Sequence, residues 1–246
     1  MATVGLEAGE FHYTEYGDPG APPLVLLHGL TSDRSTWGRT APELAAVGYR
    51  VLALDQRGHG GSPHTGTYSF EEMREDLRQF ADALGLDRIV LGGHSMGGTV
   101  AELFAERYPG RLAGLIVMDS PPPEGHGALD PGPRPDRDLS YDWAAVSAIC
   151  AQLGRPDPAW WTQLPTVTCP TLVIGGGSTS PVPQDLLARM ARLLPDAALV
   201  TIEGAGHRVH QTRPGEFLDA VRPFLRRISG GLGQIPEDHV AEKGTT

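Results

Sequence analysis

Ser95 is the residue best placed to do chemistry. It stands in Leu91-Gly92-Gly93-His94-Ser95-Met96-Gly97-Gly98, at the end of the apolar run Ile89-Val90-Leu91. A serine hydroxyl is a poor nucleophile unless it is held exposed beside a base. A sharp strand-to-helix turn achieves that. It crowds the backbone, so the positions two before and two after must be nearly free of side chain, here Gly93 and Gly97. The turn also opens a helix, whose unpaired N–H groups can stabilise an oxyanion. The pentapeptide alone is weak: in a chain this rich in glycine, roughly 0.2 matches arise by chance. Its surroundings strengthen it. After it, Val100, Leu103 and Phe104 fall on one helical face, and Pro109-Gly110 stops the helix.

Three other segments carry polar groups at strand ends. Leu26-Leu27-His28-Gly29-Leu30 makes a tight turn that can aim the Leu30 N–H inward. With the Met96 N–H it forms a two-donor oxyanion hole, the geometry a tetrahedral acyl intermediate needs; His28 shapes this turn and is not the base. Asp55-Gln56-Arg57-Gly58-His59-Gly60-Gly61-Ser62 is a polar, glycine-rich loop in which an Asp55–Arg57 contact or a turn brace is expected. Ile202-Glu203-Gly204-Ala205-Gly206-His207 ends the last strand, and His207 can swing over the sheet edge toward Ser95. His210 competes for that role three residues on.

Short apolar runs alternate with helical patterns. Strands are expected at Phe11 to Tyr16, paired in a hairpin with Thr3 to Glu7, and at Leu24 to Leu27, Val51 to Leu54, Ile89 to Leu91, Leu112 to Met118, Thr171 to Ile174 and Ala198 to Ile202. Phe70, Met73, Leu77, Phe80 and Leu84 recur at helical spacing and Gly85 closes that helix; Leu186 to Leu194 and Phe217 to Ile228 mark two more. Such alternation implies an α/β fold: a mostly parallel sheet with helices on both faces, and chemistry in the loops after the strands. The pattern breaks over 120–166. Its first part, from Pro121-Pro122-Pro123 to Pro135, cannot be a regular core element. Its second part places Trp143, Val146, Ile149 and Leu153 at helical spacing. An insertion that leaves and re-enters at the active edge is a cap. The expected organisation is a core of 1–119 and 167–228, a cap of 120–166, and a flexible tail of 229–246.

With His28-Gly29, Asp55 to Ser62, Gly93-His94-Ser95-Met96-Gly97-Gly98 and Gly204 to Pro214 in this order, the chain resembles the α/β-hydrolase fold family over about residues 10–228, cap excluded. The resemblance implies Ser95 as nucleophile, His207 as general base and the Leu30 and Met96 N–H groups as oxyanion donors. It also exposes a departure. Family members commonly carry an aspartate after the strand that here is Thr171 to Ile174, but this chain reads Gly175-Gly176-Gly177-Ser178-Thr179-Ser180-Pro181-Val182-Pro183, with no acid before Asp185. Some branches place the acid one strand earlier, where this chain has Asp119. Asp119 is therefore the expected third member; capping of the next turn, or a Ser95–His207 dyad helped by Ser178 or Ser180, are the alternatives.

The implied reaction is acyl transfer on a small or medium-sized apolar ester or lactone, without metal or organic cofactor. A serine at position 95 disfavours halide displacement and epoxide hydrolysis, which need a carboxylate there. A carbon–carbon bond hydrolase of the same fold and a non-catalytic ligand-binding member are the rival readings. Trp37, Trp143, Trp160 and Trp161 are expected to line an apolar pocket or to pack the cap onto the core. A net charge of −10 argues against nucleic acid and anionic membrane surfaces as partners. No apolar run approaches the roughly 20 residues of a membrane span. With no leader pattern, and with Cys150 and Cys169 too few for a disulfide framework, a cytoplasmic protein with reduced thiols is expected.

Overall fold

The computed structural model describes residues 1–125, 127 and 129–232. Eight strands form one sheet: β1 (Ala2–Leu6), β2 (Gly9–Tyr16), β3 (Pro23–Leu27), β4 (Arg50–Leu54), β5 (Ile89–His94), β6 (Leu112–Met118), β7 (Thr171–Gly175) and β8 (Ala197–Thr201). Their spatial order is β1-β2-β4-β3-β5-β6-β7-β8. The β1–β2 and β2–β4 pairs are antiparallel and all others are parallel. The eight helices are α1 (Ala41–Ala45), α2 (Phe70–Ala83), α3 (Met96–Arg107), α4 (Trp143–Gly154), α5 (Ala159–Thr162), α6 (Gln184–Leu193), α7 (Val209–Thr212) and α8 (Pro214–Leu232) among the described residues.

The apolar runs are buried on both faces because side chains alternate across a strand. Val25 and Leu27 of β3, Leu91 of β5 and Val117 of β6 join a core layer with Phe70, Met73, Leu77 and Phe80 of α2, Val100 of α3 and Leu187 of α6. Leu24, Leu26, Val90, Ile116 and Met118 point the other way, against Leu44 of α1 and Phe217, Val221, Phe224 and Leu225 of α8. Ser69 caps α2 by accepting the Glu72 N–H at 3.1 Å, and Gly85 ends it with a φ of 66°.

The sheet places the carboxyl ends of β3, β5, β6, β7 and β8 side by side, the edge where ligands bind in open α/β sheets. The expected tail differs in its first residues: α8 continues to Leu232, and 233–246 lie outside the described residues. The 120–166 stretch leaves the sheet after β6 and returns before β7, carrying α4 and α5. Cys150 and Cys169 are both free thiols. No described helix is long and apolar enough to cross a membrane.

Candidate active site

Ser95 sits between β5 and α3 with φ 52° and ψ −122°, a conformation that costs a non-glycine residue about 1–3 kcal/mol. The surroundings hold it there. Its N–H donates to the Met118 carbonyl at 3.1 Å, and its carbonyl accepts from the Gly98 N–H at 2.7 Å and the Ser120 hydroxyl at 2.8 Å. The two flanking glycines are required by space: a Cβ on Gly93 would lie 2.1 Å from the Gly97 carbonyl oxygen, and one on Gly97 2.6 Å from that of Leu27. Although Ser95 occupies the N-cap position of α3, its hydroxyl caps nothing. It is left for another partner.

That partner is His207, whose Nε2 lies 2.9 Å from Ser95 Oγ. The other ring nitrogen, Nδ1, lies 2.8 Å from Asp119 Oδ2. An ionised carboxylate only accepts, so Nδ1 carries the ring proton and Nε2 turns its lone pair to the serine. The loop after β8 brings the ring here: the Gly206 N–H donates to the Gly176 carbonyl at 2.9 Å, and the His94 Nε2–H donates to the carbonyl of His207 itself at 2.7 Å. His94 is buried, which with the nearby His207 ring lowers its pKa to about 4 and keeps it a neutral donor.

Asp119 follows β6 with φ 50°, and its N–H donates to the Ile174 carbonyl at 2.8 Å. Its carboxylate has no exposed side-chain surface. Burial pushes its pKa up, but hydrogen bonds from His207, Ser180, Gly176 and Gln184 outweigh that and hold it below the usual carboxylate range. The alternatives sort themselves by contact. Ser180 donates to Asp119, whereas Ser178 turns to Glu203. His210 stacks on Trp37 with ring centroids 4.1 Å apart and touches the His94 ring edge-on at 5.0 Å, buried with Trp37 and Phe217 rather than bonded to Ser95.

Of the two oxyanion donors expected from the sequence, Met96 follows the serine directly and Leu30 follows the Gly29 turn that packs against it. Met96 opens α3, so its N–H is among those without an intrahelical acceptor. The Gly29 turn presses on the elbow: a Cβ there would come 3.3 Å from Ser95 Cβ and 2.8 Å from His94 Nδ1. Leu30 follows directly. His28 braces this turn, its Nδ1–H donating to the Gly29 carbonyl at 2.9 Å and its Nε2 accepting the Gln56 N–H at 3.1 Å; burial lowers its pKa to about 4. Of the two readings expected for the Asp55 loop, the structure bears out the turn brace: the Gly61 N–H and the Ser62 hydroxyl donate to Asp55 at 2.9 and 2.7 Å. Asp55 also holds Arg34, and Arg57 pairs with Asp76 and Glu72 on α2.

A cavity of about 440 Å³ opens over Ser95 and His207. Its walls are mostly aliphatic: Pro121, Pro123 and Leu129 from the segment after β6, Leu153 from α4, and Pro181, Val182, Pro183 and Leu186 from the β7–α6 connection, with Thr99, Ser120 and Glu124 as polar residues among them. None of the four tryptophans lines it. Trp37 is fully buried in the core layer with Leu44 of α1 and Phe217 of α8. Trp160 packs edge-on against Phe70. Trp161 lies under the Arg189 guanidinium at 4.0 Å and donates its indole N–H to the Pro123 carbonyl at 3.3 Å. Trp143 starts α4, half-buried. Rings this large gain most by packing inside. The prolines escaped notice because proline reads as loop punctuation. The usable signal was two apolar Pro-rich triplets, Pro121-Pro122-Pro123 and Pro181-Val182-Pro183, in the connections that follow β6 and β7.

An α/β-hydrolase fold model matches residues 22–142, and a second α/β-hydrolase family model matches 130–220. The chain belongs to the α/β-hydrolase fold superfamily. It is 31% identical to the sn-1-specific diacylglycerol lipase ABHD11 of Mus musculus, over 85% of this chain and 82% of that protein. Among solved structures, a thermophilic esterase from Thermogutta terrifontis superposes with a TM-score of 0.79 and 29% identity, covering 92% of this chain and 98% of the esterase. Est816, described as an N-acyl homoserine lactone degrading enzyme, superposes with a TM-score of 0.75 and 25% identity, covering 91% of this chain and all of that one.

Proposed function

We propose that the protein is a serine hydrolase that cleaves a small or medium-sized, uncharged carboxylic ester or lactone through an acyl-enzyme. The observation that carries this is the continuous line Ser95 Oγ–His207 Nε2 at 2.9 Å and His207 Nδ1–Asp119 Oδ2 at 2.8 Å, opening into a mostly aliphatic cavity. In the first half-reaction His207 takes the Ser95 proton as Oγ attacks the carbonyl carbon. The oxyanion is received by the Leu30 and Met96 N–H groups, and His207 gives its proton to the departing alkoxide. In the second half-reaction water attacks the acyl-enzyme, His207 takes its proton, and Ser95 leaves reprotonated. Asp119 holds the ring tautomer and stabilises the imidazolium. In a lactone the alcohol stays tethered to the acyl group, so the same steps open the ring.

The cavity supports a compact substrate, since about 440 Å³ is near the lower end of the roughly 300–1,000 Å³ usual for ligand pockets. The 120–166 segment acts as a cap that supplies one wall. The kinship with an esterase, a lipase and a lactone-degrading enzyme supports the same reaction class.

The test is fluorophosphonate labelling read by peptide mass spectrometry, run beside hydrolysis of p-nitrophenyl acetate, butyrate, octanoate and palmitate. The expected result is a label on Ser95, lost in Ser95→Ala, with turnover greatest at short to medium chains. A native protein that refuses the label and turns over no ester overturns the reading and favours a ligand-binding role. Much faster cleavage of a vinylogous diketone than of any ester favours carbon–carbon bond hydrolysis instead.

A further inference from the structure

We infer that Ser180 and Gln184, in the connection between β7 and α6, are positioning residues that lock the Asp119 carboxylate onto His207. This rests on the proposed serine-hydrolase reading and adds to it the groups that make Asp119 usable from β6. The carboxylate's acceptor capacity is filled. Oδ1 accepts the Gly176 N–H at 3.0 Å and the Gln184 amide at 3.2 Å. Oδ2 accepts His207 Nδ1–H at 2.8 Å and the Ser180 hydroxyl. Four donors meet about four lone-pair sites.

Each of the two side chains is itself fixed. The Val182 N–H donates to Ser180 Oγ at 3.1 Å. With that lone pair engaged, the hydroxyl proton is directed to Asp119. Gln184 is bound at both ends of its amide. Its Oε1 accepts the Gly177 N–H at 3.1 Å, so its Nε2 is the donor, to the Val182 carbonyl at 2.8 Å and to Asp119. The orientation of the amide is therefore set by its neighbours. Neither residue touches His207 or Ser95 in the hydrogen-bond network, so both act through the carboxylate.

The arrangement answers a need that Asp119 creates. Its backbone is in the left-handed region and its carboxylate is buried, so an unpartnered oxygen would be left desolvated without a compensating bond. Rotation of the side chain away from His207, or protonation, would relieve that desolvation and would also release the imidazole. Donors on the far side of the carboxylate remove the incentive. The loop after β7 thus serves the acid by donating to it, where Thr179 and Ser180 stand in place of a carboxylate of its own.

The experiment compares Ser180→Ala, Gln184→Met, Ser180→Thr and Asp119→Asn by kcat, KM, the pH dependence of kcat/KM and thermal midpoint on p-nitrophenyl butyrate. Ser180→Ala and Gln184→Met should each lower kcat about tenfold with KM within twofold. The acid limb of the profile should move to higher pH, because a carboxylate with fewer donors holds the proton on the imidazole more tightly. Ser180→Thr, which keeps the hydroxyl, should restore both. Adding Ser180→Ala to Asp119→Asn should cost almost nothing further, since the residue acts only through Asp119. The inference is overturned by Ser180→Ala and Gln184→Met with unchanged kcat and acid limb, or by Ser180→Ala costing as much in the Asp119→Asn background as alone. Wild-type rates in Asp119→Asn itself sink the parent reading of the acid, and this one with it. Should Gln184→Met fail to fold, the Ser180 pair and the double-mutant comparison still decide.

Discussion

The loops after β5, β6 and β8 and the segment over them are held by different means. Below, backbone groups of neighbouring strand ends bond one another directly: Ser95 to Met118, Asp119 to Ile174 and Gly206 to Gly176. His94 ties the elbow to the histidine loop. Above, residues 120–166 meet the core by backbone bonds at Ser140 and Asp142, to Gly60 and Gly58, and otherwise through side chains, including Arg189 to Glu124 at 2.9 Å and Gln152 to Phe70 and Tyr68. Half-exposed ion pairs such as Arg189–Glu124 contribute about 0–1 kcal/mol. The proton relay proposed for Ser95, His207 and Asp119 would fail if its atoms moved by a fraction of an ångström, and its groups stand on the strand ends of the sheet. A wall that selects by size tolerates more play.

Substitutions on the two sides should therefore fail differently. The largest effect is expected from Asp119→Asn, which presents the wrong hydrogen-bonding pattern to His207 Nδ1 and should lower kcat by about 10⁴-fold with little change in KM. Steady-state kinetics on a short-chain ester check it, and a loss smaller than tenfold would return the site to a Ser95–His207 dyad.

Acid should damage the lower region next. His28 and His94 have pKa values lowered to about 4 by burial, and His59 to about 3. Above about pH 6.5 these rings are neutral in both folded and unfolded chains, and stability is full. Between pH 6.5 and 4 the unfolded chain binds protons that the folded chain refuses, so stability falls, by on the order of 3 kcal/mol per ring. The thermal midpoint should be level from pH 7 to 8 and drop steeply below 6; a midpoint unchanged down to pH 4.5 would contradict it.

His94→Leu removes the bond to the His207 carbonyl and leaves that carbonyl wanting a donor. A loss of about tenfold in kcat is expected, with KM held, since the base loop loosens while the cavity stays. The smallest effect is expected above the sheet. Trp161→Ala frees Pro123 and should raise KM roughly threefold to tenfold, about 1 kcal/mol of wall contact, with kcat nearly kept. A fall in kcat without a change in KM would place Trp161 on the wrong side of the comparison.

Much of the lower region was legible in the chain. Gly93, Ser95 and Gly97 carry their geometry in their spacing, because only residues without side chains fit beside the strained turn. The strands were legible because burial on both faces demands unbroken apolar runs. Asp119 was reached from the sequence by the family resemblance and the lack of an acid before Asp185. The tryptophans stayed open between two readings. Trp37 and Trp160 satisfy an apolar pattern equally well in a core or in a pocket, and composition cannot tell the two apart. Gln184 gave no signal at all, since a glutamine at the start of a helix is ordinary.

The sequence by itself determined the order of elements, the elbow that presents Ser95, and the placing of a serine just after β5 and a histidine after β8 at one edge of the sheet. These depend on local backbone sterics and on the periodicity of burial, which are written along the chain. Only the tertiary structure decided that Ser180 and Gln184 close around Asp119, that His210 turns into the core while His207 faces the serine, and that prolines rather than tryptophans wall the cavity. Those outcomes hinge on which groups from distant segments come into hydrogen-bond or packing contact, and such partners are chosen by packing in three dimensions.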